Sequence, residues 1–201
     1  MKTKQLTPEA MEARIARFKD LTPMDSQRNP KIPQEAADMI CARKLMPVIT
    51  FGEDAPNPFG TAAPISGAGG MSIIVAACPP GTGPGLHAHH KTHETFTVLQ
   101  GRFEITWGDA GEHSVALEKF DTISVPPGVC RAFTNVSDGE GVLQVIISGG
   151  VHDIDDIAFP PAVAEQLDRT GPGVLDEIKK TGLTFDAGVE WPLEPKQASR
   201  P

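Results

Sequence analysis

An all-β domain of short antiparallel strands, closed as a sandwich or barrel and flanked by short helices, is what this sequence predicts. Three observations carry the prediction. Between Met71 and Ile147 seven short apolar segments (MSIIVAA, ETFTVLQ, RFEITW, HSVAL, DTISV, CRAFTN and GVLQVII) alternate with turn signals. Their connections are too short for crossover helices, so the strands must pair antiparallel. The 20 glycines and 19 prolines fall largely between β-branched runs, as in turn-rich proteins. Finally, 201 residues with 39% apolar content suit one buried core better than two.

The chain begins with a helical signal. Thr7-Pro8-Glu9 reads as N-cap, first helical proline and first-turn acid, and Met11, Ile15 and Phe18 follow at helical spacing, so a helix is expected from Pro8 to Lys19. A second short helix opens at Pro33 and runs through Met39 and Ile40, and the chain turns extended from Leu45 to Phe51. Residues 52–70 are rich in Gly and Pro and read as a loop. After the seven strands, Pro161 to Leu167 and Val174 to Lys180 read as helices, the second stopped by Gly182. The last residues, EWPLEPKQASRP, read as a tail. The expected division is an N-terminal helical arm (1–44), a barrel (45–150) and C-terminal helices with a tail (151–201).

Composition excludes several functions. Lys plus Arg number 18 against 26 Asp plus Glu, a net charge of −8, which repels polyanions and argues against a nucleic-acid partner. No apolar run approaches the roughly 18 residues of a membrane span, and the charged start lacks the apolar stretch of a signal peptide. A cytoplasmic protein without a membrane partner is expected. Cys41, Cys78 and Cys130 are widely spaced and odd in number, which indicates reduced core residues rather than a disulfide framework.

The chemistry concentrates in one place. His87, His89, His90, His93 and Glu94 fall within eight consecutive positions. On an extended strand His87 and His89 leave the same face about 7 Å apart, close enough to grip one cation. Glu94 has the wrong parity for an unbroken strand, so a bend near Lys91-Thr92 must precede it. Phe96 and Val98 then share its face. Imidazole nitrogen with carboxylate oxygen suits Fe(II), Mn(II), Ni(II), Co(II) or Zn(II). His93 or His90 is a further candidate ligand. The acidic positions Asp153, Asp155 and Asp156 read as a solvated loop.

The spacing Gly81, His87-Ala88-His89, Glu94, Gly101 resembles the first signature of the cupin family. Pro126-Pro127-Gly128, Arg131 and Asn135 resemble the second, with Phe120 where its leading glycine usually falls. LDEIKKTGLTF, residues 175–185, is similar to the tails of quercetinase-like single-domain cupins. The resemblance implies a double-stranded β-helix, or jelly-roll, usually homodimeric, with a metal in its mouth held by three histidines and a glutamate. Arg131 stands where metal-binding members usually place the fourth ligand, and a guanidinium has no lone pair to donate. His87, His89 and Glu94 still make the two-histidine, one-carboxylate set used by non-haem Fe(II) oxygenases. A guanidinium about 5 Å from a divalent ion is repelled by roughly 6 to 7 kcal/mol at an effective dielectric of about 20. Arg131 must therefore turn away, share an anion with the metal, or pair with Glu94 in a metal-free site.

The leading expectation is a metal-dependent oxidoreductase, a dioxygenase using Fe(II) first among the metals, acting on a small anionic or enolisable molecule. His87, His89 and Glu94 hold the metal with His93 as substitute, Arg131 orients the substrate, and Phe96, Val98 and Phe133 line an apolar pocket. The alternatives are a metal-free anion-binding module and a metal-assisted isomerase or lyase.

Overall fold

Strand alternation decides which side chains reach the interior, and the strands fall where their apolar runs predict. The computed structural model describes residues 1–24, 29–51, 63–67, 69–149 and 156–189. In chain order the strands are β1 (Lys44–Thr50), β2 (Ile65–Ser66), β3 (Met71–Cys78), β4 (Ala88–His89), β5 (His93–Gln100) and β6 (Phe103–Trp107). They continue with β7 (His113–Leu117), β8 (Thr122–Val125), β9 (Arg131–Asn135), β10 (Gly141–Ser148) and β11 (Ile157–Ala158). One sheet has the order β2-β1-β3-β10-β5-β8. Opposite it lie β7-β6-β9 and the pair β11-β4, joined by an antiparallel bridge between His87 and Arg131. This is an all-β jelly roll.

The inward faces meet in one core, with Ile74, Ala76, Phe96, Val98, Phe103, Ile105, Phe133, Leu143 and Val145 buried together. Phe96 and Phe103 both meet the Phe133 ring edge-on, with centroids 5.1 and 6.0 Å away, a favoured aromatic geometry. Between β5 and β6 the chain reverses at Gly101 with φ +80°, where an added Cβ would come within 2.7 Å of Ser137 Oγ. Phe120 takes the same left-handed conformation, φ 76°, at the position where the second signature's glycine usually falls.

Helices α2 (Gln34–Ile40), α3 (Pro161–Asp168) and α4 (Val174–Lys179) form a second apolar cluster through Ala36, Phe159, Val163, Leu167, Val174 and Ile178. The first helix is shorter than expected. α1 covers only Pro8–Glu12, capped by Thr7 Oγ1, and a separate 3₁₀ turn spans Phe18–Asp20. Met11, Ile15 and Phe18 remain exposed, so among the described residues the apolar stripe has no partner surface to extend the helix, and short isolated helices are marginal. The expected loop lies mostly outside the described residues, except that Ile65–Ser66 adds a strand beside β1. The tail from residue 190 lies outside them entirely. Among the described residues no helix is long and apolar enough to cross a membrane.

Candidate metal centre

β4 ends at His89, the chain bends at His90-Lys91, and β5 begins at His93. That bend restores the parity that brings Glu94 inward beside the two histidines. His87, His89 and Glu94 are all buried, and their ligand atoms lie within 4.8 Å of one another. Glu94 Oε2 is 3.5 Å from His87 Nε2 and 3.7 Å from His89 Nε2.

The other ring nitrogens assign the tautomers. His87 Nδ1 lies 2.8 Å from the Gly85 carbonyl, which can only accept, so Nδ1 carries the proton. His89 Nδ1 faces Thr92 Oγ1 at 2.9 Å and Asp156 Oδ2 at 3.2 Å. Because the Thr92 hydroxyl itself donates to Asp156 Oδ2 at 2.6 Å, His89 Nδ1 is also the donor. Both Nε2 lone pairs therefore turn toward Glu94, the arrangement by which an outer carboxylate or carbonyl orients a metal-binding imidazole.

Asp156 was expected in a solvated acidic loop; instead it is buried. Besides His89 and Thr92, its Oδ1 accepts from the Lys91 N–H at 2.6 Å and its carbonyl accepts from the His90 N–H at 2.9 Å. Burial opposes its ionisation, but the hydrogen bonds from His89, Thr92 and Lys91 hold the carboxyl at about 2. Asp156 thus clamps the bend between the two ligand-bearing strands. Nothing in the spacing around 87–94 pointed to a residue more than 60 positions away; Asp153 and Asp155 lie outside the described residues.

Arg131 is completely buried and its Nε donates to Glu94 Oε2 at 2.8 Å. Its Nη1 donates to the Val129 carbonyl at 3.2 Å, while Nη2 is buried without a hydrogen-bond partner among the described residues. Burial would raise the Glu94 pKa, but the positive charge of Arg131, followed by the two imidazoles, holds it well below the usual carboxylate range. Burial pushes His87 down toward its neutral form, and Arg131 adds to that effect against the pull of Glu94. The Glu94 and Asp156 carboxylates, set against the single Arg131 guanidinium, contribute one net negative charge to the buried set. That balance fits a cation, and so do the donors.

Three expectations about the site are corrected. His93 is exposed and cannot substitute as a ligand, because it precedes Glu94 by one residue on β5 and faces the opposite side. Phe96 and Val98 share the Glu94 face but lie deeper along the strand, fully buried in the core, and do not line the cavity. Arg131 is likewise absent from the lining; it stands behind Glu94 rather than presenting itself to a substrate. Phe133 lines the cavity.

The cavity above His87, His89 and Glu94 has a volume of about 170 Å³. One wall is the barrel, through Ile74, Phe133 and Val145; the other comes from the flanking segments, through Ile40, Phe159 and Ile178.

Residues 74–147, which include both histidines, Glu94 and Arg131, match the family model described as a cupin domain. The chain carries a cupin domain. Asp156 and the helical wall of the cavity lie outside the matched stretch. Among solved structures, a cupin domain of Cnp3 from Schizosaccharomyces pombe is 17% identical over 52% of this chain and 64% of its own, with a TM-score of 0.40. A cupin protein from Bacteroides fragilis is 26% identical over 40% of this chain and 66% of that one, TM-score 0.36. A Thermotoga maritima protein described as a predicted oxalate decarboxylase is 19% identical over 39% and 65%, TM-score 0.36. The chain thus spans just under two thirds of each of these proteins. No curated protein sequence matches it.

Proposed function

We propose that the cupin mouth is a metal-dependent catalytic site of oxidoreductase type, with Fe(II) first among the metals and dioxygen as co-substrate for a small organic molecule. One observation carries this reading: two imidazole nitrogens, each with its lone pair set by a partner on the far side of the ring, face one carboxylate oxygen at the floor of a cavity. His87, His89 and Glu94 would hold the ion, and their composition is that of a two-histidine, one-carboxylate centre with open positions. When bound, the ion would supply a Lewis-acidic charge and, for iron, an electron relay. The chain's own contribution is positional. Gly85 and Asp156 fix the imidazoles, Arg131 keeps Glu94 ionised at neutral pH, and the apolar walls exclude water from the reacting group.

A second reading, a metal-free binding module, is favoured by one contact: Arg131 Nε donates to Glu94 Oε2, the oxygen that faces both imidazoles. Anaerobic titration of untagged protein with Fe(II), followed by elemental analysis, separates the two. The metal reading expects one ion per chain, lost in His87→Ala, and oxygen consumption with a substrate that fits the cavity. Protein that neither carries nor takes up metal would support the binding module.

A further inference from the structure

The cavity contains a chemical preference that the metal ligands alone do not express. Among the described residues Glu94 is the only acidic side chain in the lining. Among the described residues no lysine or arginine lines it. Arg131, the cation that an anionic substrate would need, is buried outside the lining with its Nε committed to Glu94. In the ion-free site a carboxylate or phosphate entering this space would meet apolar walls and a carboxylate floor, so desolvating it would go uncompensated. A hydrocarbon meets the opposite situation, since Ile32, Ile40, Leu45, Ile147, Ile157 and Leu183 contribute side chains with no polar group to satisfy.

Size narrows the class. The volume of about 170 Å³ is close to that of an apolar cavity of about 150 Å³ that accepts benzene. Thr181 and Asn29 also contribute to the lining, and Thr181 is exposed, which puts one edge of the cavity at the surface beside α4.

We infer that the site takes a neutral, largely hydrocarbon molecule, about one substituted ring in size, that turns a single polar group toward His87, His89 and Glu94. The inference names the substrate class of the site proposed above and rests on that reading for the role of the polar group. Size and charge selection come from the cavity walls. Several of those walls belong to segments outside the cupin match, so the preference is a property of this chain's flanks as well as of its barrel.

The test uses two probes of similar shape and different charge. 4-Methylphenol is neutral at pH 7, since phenols ionise near about 10, whereas 4-methylbenzoate is an anion because carboxyl groups ionise near about 4. Calorimetric titration is carried out on the protein as purified and after treatment with a chelator. In the chelated protein 4-methylphenol is expected to bind about tenfold or more tightly than 4-methylbenzoate. Ile178→Trp, which fills the cavity, should weaken that binding by about tenfold or more. Thr181→Trp narrows it from an exposed position and should do the same where the buried replacement fails to fold. Equal or tighter binding of the anion to chelated protein, no binding of the phenol, or phenol binding unchanged in the folded variants would overturn the inference. A failure to bind metal would leave the phenol preference in place. Loss of the preference in protein carrying one ion per chain would overturn the substrate class and leave the metal centre standing.

Discussion

The two ends of β9 carry two buried polar residues that solve the same problem in opposite ways. At one end Asn135 makes every hydrogen bond its amide allows. Its Nδ2 donates to the Cys78 and Gly139 carbonyls, both at 2.8 Å, and its Oδ1 accepts from the Ser137 N–H at 2.9 Å and from the Ser137 hydroxyl. At the other end Arg131 has five N–H donors, yet among the described residues it makes one bond to Glu94 and one to Val129 and leaves Nη2 unpaired. Opposite it, two imidazole lone pairs converge on the oxygen that Arg131 already holds. A saturated amide can do nothing except hold the turn closed. A cluster with unspent donors and lone pairs retains the capacity to bind, and that is where the cavity lies.

Breaking each end should therefore give different signatures. The largest effect is expected for Glu94→Ala, which leaves the Arg131 charge buried without its partner and should cost about 3 to 5 kcal/mol in urea denaturation. The double variant Glu94→Ala, Arg131→Met should recover much of that loss; a single-variant cost near zero would mean the pair is not electrostatically buried. Asn135→Ala removes four hydrogen bonds and strands buried carbonyls, for about 2 to 3 kcal/mol, with metal affinity measured by titration unchanged. Asp156→Asn should show the reverse pattern. Metal affinity falls by about 10- to 100-fold as His89 loses its orienting carboxylate, while stability falls less than in Asn135→Ala. If Asp156→Asn instead costs as much stability as Asn135→Ala and leaves the metal affinity of the folded protein unchanged, Asp156 belongs with Asn135 as a structural group. Smallest is Phe120→Gly, away from both clusters. Phe120 is 71% exposed and left-handed, so the replacement should raise stability by about 1 kcal/mol, read as an increase in the melting temperature.

Local patterns were legible wherever chemistry and period coincide along a short stretch. The seven central strands, the bend that gives Glu94 the parity of the two histidines, and the burial of Cys78 and Cys130 all follow from neighbours in the chain. The first helix did not follow in full, because its length depends on a packing surface and none of the described residues forms one against Met11, Ile15 and Phe18. His93 and Glu94 could not be sorted by composition either; only the strand's orientation put one outside and one within.

By itself the sequence determined the all-β antiparallel class and the grouping of His87, His89 and Glu94, since alternation and turn chemistry act over a few residues; the jelly roll was implied by the family resemblance. Tertiary structure decided that Asp156 returns to hold His89, that Arg131 spends its Nε on Glu94, and that segments from both flanks complete the cavity. Those contacts join residues dozens of positions apart, and their geometry exists only once the sheets have packed and brought distant backbone segments within hydrogen-bonding reach.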